Sequence, residues 1–295
     1  MRNWLRAAVL LIVLPMAVAW WLTAPQPLPR GAVEGLTGDA ARGETVFWAG
    51  GCASCHKVPG SDDPLLLAGG VRLASPFGAF VAPNISPDPE HGIGGWSAYD
   101  LANAMLRGVS PGGAHYFPAF PYTSYAQADL QDVVDLKAFL DTLPASSVAS
   151  LPHEVGFPFN IRRTLGLWKR MFGNRGWVVE EPADPVLARG RYLAEGLGHC
   201  GECHTPRNAL GGLETGRWMA GGPVPGSDKG RFPNLTPAKF DWSGTDIAYY
   251  LETGFTPDFD SAGGHMAEVV QNMGRLSAED RAAIAAYLKA LPAAE

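Results

Sequence analysis

The sequence predicts an all-α protein: two tandem, related helical units behind an apolar N-terminal segment. Three observations carry this. The chain repeats itself at a nearly constant offset, helix-capping residues and apolar helical periodicity recur in both repeats, and its four cysteines divide into two copies of one motif, one per repeat.

The N-terminal element comes first in the chain. Arg2 and Arg6 flank a short positive stretch, and an apolar run from Ala7 to Ala24 follows, interrupted by Pro15 and Thr23. Its length lies at the lower edge of what spans a bilayer as a helix. Trp20 and Trp21 stand at its far end, where aromatic rings favour the membrane–water boundary. Residues 1–24 therefore read as a signal anchor or, with Ala17-Val18-Ala19 as a small-residue cleavage site, as a signal peptide. Both readings export the rest of the chain and place it on the periplasmic side of a bacterial inner membrane.

The repeat is dense in matched residues. Ala41-Arg42-Gly43 corresponds to Ala188-Arg189-Gly190, and Pro83-Asn84-Ile85-Ser86-Pro87 to Pro233-Asn234-Leu235-Thr236-Pro237. Trp96-Ser97, Asp100 and Gly108 correspond to Trp242-Ser243, Asp246 and Gly254, and Leu143-Pro144 to Leu291-Pro292. The spacing predicts one domain over residues 38–146, an interdomain segment over 147–183, and a second domain over 184–293. Asp184 and Pro185 suit the N-cap and first position of a helix, and Ser97 and Ser243 each precede an Asp by three residues, a variant of the capping box. Ser277 caps a last helix with Ile284, Tyr287, Leu288 and Leu291 on one face; Leu130, Val133, Val134 and Leu140 mark its partner in the first repeat. Gly (36) and Pro (25) exceed a fifth of the 295 residues, which predicts long loops between these helices. A net charge of -6 with no basic face argues against a nucleic-acid partner.

The cysteines carry the chemistry. They form Cys52-Ala53-Ser54-Cys55-His56 and Cys200-Gly201-Glu202-Cys203-His204. C-x-x-C-H is the attachment signature of c-type haem. Two thiols one helical turn apart add to the two vinyl groups of one haem, and the adjacent His binds its iron. A shared zinc site would need closer pairs than these, which lie 148 positions apart (200 minus 52). A thioredoxin-like pair gives no reason for the His in both copies. Two covalently bound haem c groups follow, with Cys52, Cys55, Cys200 and Cys203 as anchors and His56 and His204 as proximal iron ligands.

Together these residues resemble the cytochrome c subunits of bacterial membrane-bound alcohol, aldehyde and gluconate dehydrogenases and their two-haem relatives. The resemblance runs from Gly38 to Pro292 and is strongest at Pro118-Ala119-Phe120-Pro121-Tyr122, at Gly198 to Asn208, and at Gly263 to Val270. It implies a class I cytochrome c fold in each repeat, electron transfer as the function, and two redox partners, a dehydrogenase and a respiratory acceptor. It also bears on the distal iron ligands. Met266, in a Gly-rich loop before the last helix, is the leading ligand of the second haem, with Met273 as the alternative. For the first haem, relatives commonly carry Met where this chain has Phe120. His115, Met105 or an open site remain as the alternatives, with His265 of the second repeat in a place similar to that of His115.

The interdomain segment carries Arg162, Arg163, Lys169, Arg170 and Arg175 among Leu165, Trp168, Met171 and Phe172. It reads as a linker helix packed across the two domains with its charges in water, or as a docking surface. Two functions stay open: a membrane-tethered electron carrier, or a haem enzyme acting on a small molecule at an open first iron.

Overall fold

The computed structural model describes residues 2–173, 176–180, 182–225, 227 and 229–294; Arg175 lies outside them. Helix accounts for 42% and strand for 7%. A long N-terminal helix, α1 (Arg2–Leu22), precedes the first repeat, which comprises α2 (Ala40–Ala49), α3 (Cys52–His56), the hairpin β1 (Arg72–Ser75) and β2 (Gly78–Val81), α4 (Ala98–Arg107), α5 (Tyr122–Tyr125) and α6 (Leu130–Leu140). The intervening segment forms β3 (Glu154–Val155) and α7 (Leu165–Phe172). The second repeat comprises α8 (Pro185–Arg191), α9 (Gly201–His204), β4 (Gly222–Pro223), β5 (Arg231–Phe232), α10 (Gly244–Thr253), α11 (His265–Met273) and α12 (Ala278–Lys289). The strands depart from the all-α expectation. They are short antiparallel pairs in the long loop after each C-x-x-C-H motif, and β3 adds to the edge of β2.

The capping expectations hold at atomic detail. Ser97 and Ser243 each accept from the backbone of the Asp three residues on, and each Asp returns a bond to the Ser backbone. Ser277 caps α12, and Asp184 accepts from Val186 N with Pro185 in the first turn.

The first and last helices of each repeat cross at a glycine. A Cβ on Gly43 of α2 would lie 2.0 Å from the Asp135 carbonyl oxygen of α6, and one on Gly190 of α8 would lie 2.0 Å from the Ala283 oxygen of α12. The matched Ala-Arg-Gly triplets thus mark two equivalent backbone contacts. Each adjoining Arg pins the crossing: Arg42 bonds the buried Asp135 (2.7 Å), and Arg189 bonds Asp280 (2.7 Å). Asp135 also accepts from Asp39 N and Gln131, so its burial is matched by donors.

One difference between the repeats is geometric. Nine positions separate Gly43 from Cys52 and ten separate Gly190 from Cys200. The extra residue is absorbed by a π-helical turn, Tyr192–Leu197. Glu195 in that turn is buried, and accepts from Tyr287 Oη (2.7 Å) and from the Val178 and Val179 amides. It ties the interdomain segment to the second repeat.

Four charged side chains of that segment bond backbone carbonyls. Lys169 Nζ donates to the carbonyls of Arg107 and Gly108 at the end of α4 (2.7 and 2.6 Å), Arg162 donates to His115 O, and Arg163 and Arg170 reach the carbonyls of Trp20 and Leu22 at the end of α1. Cations thus meet helix C-termini, where the helix dipole favours them. Trp168 and Phe172 of the same helix touch the second repeat at Leu210 and Gly212. His153 is likewise not a surface residue: it accepts from Val81 N and its ring lies against Phe80 and Phe117.

Helix α1 exposes its apolar side chains, including Leu10, Leu11, Ile12, Leu14, Met16, Trp20 and Trp21. Among the described residues no helix is long and apolar enough to cross a membrane.

Candidate functional site

Both C-x-x-C-H motifs begin after a left-handed residue, Gly51 (φ 63) and His199 (φ 41), and both form one helical turn, α3 and α9. No disulfide joins any of the four cysteines. Burial pushes the Cys52 and Cys200 thiols up to about 12, and Cys55 and Cys203 to about 11.

The histidines are oriented alike. His56 Nδ1 lies 2.8 Å from the Pro83 carbonyl, and His204 Nδ1 lies 2.9 Å from the Pro233 carbonyl. Each bond places the proton on Nδ1 and leaves Nε2 as the free base, the arrangement that an iron-bound imidazole needs. Burial lowers both histidine pKa values, against the raising effect of that carbonyl. The Pro carbonyls are held by the repeated Pro-Asn motif: Asn84 Oδ1 accepts from Ser86 N, and Asn234 Oδ1 from Thr236 N. These residues fit covalently attached haem in both repeats.

The distal loops can be matched strand by strand. Val109 bridges His115, and Phe255 bridges Ser261, at the same offset of 146 (255 minus 109, 261 minus 115). Tyr116 N donates to Gly108 O as Ala262 N donates to Gly254 O. In this register Phe120 stands where Met266 stands, and His115 corresponds to Ser261. His265, which is exposed, corresponds to Ala119, so the expected similarity of His115 to His265 is corrected. Met266 is half-buried in the first turn of α11, whereas Met273 is part of the buried core.

His115 is buried, with one ring nitrogen bonded and Nδ1 buried without a hydrogen-bond partner. Its Nε2 lies 2.9 Å from the Thr23 carbonyl at the end of α1, and its carbonyl takes Arg162. Burial lowers its pKa, helped by Lys169 and Arg163, against the Thr23 carbonyl. That geometry gives it a role in seating α1 on the first repeat. Met105 is 4% exposed and corresponds to Leu251 at the same offset, so it fills a core position that needs no ligand in the second repeat.

The two motifs face each other. Glu202, the third residue of the second motif, accepts from Thr123 (2.9 Å) and Ser124 (2.8 Å) of the first repeat. Ser54, the third residue of the first motif, accepts from Asn272 (2.6 Å) of the second. Lys57 pairs with Glu268 (2.7 Å), Tyr125 donates to Gly50 O, and the Tyr125 and His199 rings are 5.4 Å apart. These contacts were not anticipated from sequence, because the x positions of the motif carry no attachment chemistry.

Comparison with known proteins agrees with this geometry. The Cytochrome c family matches residues 40–144. A protein of Cereibacter sphaeroides named Diheme cytochrome c-type is 58% identical over all of this chain and all of its own length. The fructose dehydrogenase cytochrome subunit of Gluconobacter japonicus is 36% identical over 86% of this chain and 52% of its own. The gluconate 2-dehydrogenase cytochrome c subunit of Pantoea cypripedii is 37% identical over 85% of this chain and 59% of its own. The chain thus spans little more than half of those two subunits, and the comparisons lend no support to the haem-enzyme alternative. It belongs to the dihaem c-type cytochromes, electron-transfer proteins with covalently bound haem c.

Proposed function

We propose that the chain relays electrons from a dehydrogenase to a respiratory acceptor at the periplasmic face of the bacterial inner membrane, with each repeat acting as one class I cytochrome c domain. Cys52 and Cys55 hold the first haem and Cys200 and Cys203 the second. His56 and His204 supply Nε2 to the irons, and Met266 closes the second site with its thioether. When bound, each haem supplies an iron that exchanges one electron between the ferric and ferrous states. The dehydrogenase partner is supported by the names of the fructose and gluconate dehydrogenase subunits. Anchoring by α1 is supported by its exposed apolar side chains.

The observation that carries the relay is that each motif bonds the opposite repeat, Ser54 to Asn272 and Glu202 to Thr123 and Ser124. This interface supports a fixed placement of the two attachment sites against each other. The experiment is rapid one-electron reduction of the oxidised holoprotein, followed by the absorbance of both haems. First-order redistribution between them, at a rate independent of protein concentration, is expected. Redistribution that needs collisions between molecules would refute the relay.

A further inference from the structure

The matched register exposes an asymmetry between the outer faces of the two repeats. In the first, the end of α4 is covered, while Pro111 to Ala114 of the following turn are exposed. Val109 is 3% exposed, Lys169 sits on the Arg107 and Gly108 carbonyls and over the Tyr122 ring (4.6 Å), and Arg162 lies over Phe117 (4.8 Å). The cover is a basic, apolar helix, α7.

The equivalent face of the second repeat is bare and aromatic. Phe255, the counterpart of Val109, is 54% exposed, Tyr249 is 54% exposed, and Phe259 is 96% exposed. Phe259 has φ 63, and its counterpart in the first repeat is Gly113 at φ 77. A phenylalanine thus occupies a left-handed turn position that the other repeat gives to glycine, and it points into water. Both features oppose stability. Tyr249, Phe255 and Phe259 line a shallow hollow with Asp246, Thr256 and Pro257. From Phe240 to Gly274 the chain has Asp241, Asp246, Glu252, Asp258, Asp260 and Glu268 and no Lys or Arg. Glu252 and Glu268 are paired with Arg281 and Lys57, while Asp258 and Asp260 are exposed beside the aromatic rings.

We propose that this face docks a basic amphipathic helix of a redox partner protein, of the kind that α7 presents to the neighbouring end of α4 in the first repeat. Three observations choose this occupant: the docking of α7 on the end of α4 in the first repeat, the acidic surround, and the aromatic rings placed to take Lys or Arg over their faces. The docked helix would lie on the loop that ends at Met266, so the surface is an electron entry or exit point of the second repeat. The proposal relies on the electron-transfer reading only for the partner being a redox protein.

The test uses a fluorescein-labelled peptide of residues 160–173, which carries four positive charges from Arg162, Arg163, Lys169 and Arg170, added to the full-length holoprotein. Anisotropy should show saturable binding that weakens as salt is raised. The Phe255→Val/Phe259→Gly variant, which restores the residues of the first repeat, should bind at least about tenfold more weakly with unchanged haem spectra. Absence of binding, or equal binding by the variant, would overturn the proposal. Sedimentation velocity covers the rival occupant: a concentration-dependent dimer abolished by the same substitutions would mean that a second copy of this chain fills the face. Either refutation leaves redistribution between the haems unaffected, so failure here is distinguishable from failure of the relay.

Discussion

Replacing Gly190 with Ala tests the helix crossing that closes the second repeat. In an isolated helix the substitution would stabilise the chain by about 1 kcal/mol, because Ala is the better helix former. The crossing reverses that sign. The new Cβ would lie 2.0 Å from Ala283 O, 2.7 Å from Ala283 C and 2.8 Å from Tyr287 Cβ, whereas ordinary contact begins near 3.4 Å. The shortfall is 1.4 Å (3.4 minus 2.0), and the nearest atom is a backbone carbonyl that cannot rotate away. α8 and α12 must separate by about an ångström. Overpacking of this kind typically costs about 1–3 kcal/mol, and a gap that wide forfeits up to about half of each dispersion contact across the seam. A net loss of about 2 kcal/mol is expected after the propensity gain. Denaturant unfolding of the holoprotein, followed by the Soret absorbance, measures it. Gly43→Ala should cost a similar amount in the first repeat, where its Cβ would lie 2.0 Å from Asp135 O. Stabilisation by either substitution would refute the backbone crossing.

Two further predictions follow from matched positions and buried charge. In the oxidised protein one thioether-to-iron band is expected in the near infrared. Met266→Leu should abolish it, and Phe120→Met, which places a thioether at the matched position of the first repeat, should roughly double it; a band unaffected by Met266→Leu would remove that residue as ligand. The Arg42 guanidinium, with the Asp39 amide and Gln131, holds the Asp135 carboxyl below its ordinary value. A depressed carboxyl pKa contributes stability that is present above the unfolded value of about 3.9 and is lost as pH falls through the folded value. Asp135→Asn should therefore lower the denaturation midpoint at pH 7 and flatten the acid limb below about pH 4, both read from unfolding curves across pH. An acid limb identical to that of the wild type would refute the assignment.

Much of this was legible in the sequence, because the informative residues act locally. C-x-x-C-H needs only one helical turn, and Ser97, Ser243 and Ser277 cap through bonds spanning three residues. The Pro83 and Pro233 motifs were visible as a repeat, but their role in orienting His56 and His204 depends on contacts 27 and 29 positions away. The distal loop was harder. Spacing alone set His115 beside His265, and only the paired bridges showed that Phe120 matches Met266. Nor did composition show that Lys169 would meet helix-end carbonyls 61 and 62 positions earlier, or that Ser54 and Glu202 would bind the opposite repeat. Those partners are chosen by the packing of the two repeats, and no local pattern encodes it.

The most direct test of the central claim is the number of haems bound covalently to each chain. Intact mass spectrometry of the purified protein after acid–acetone extraction, with pyridine haemochrome absorbance per polypeptide, measures it. Two haems per chain are expected, falling to one in Cys52→Ser/Cys55→Ser and to one in Cys200→Ser/Cys203→Ser. One or no haem retained by the wild type, or retention of both by either double variant, would contradict the account.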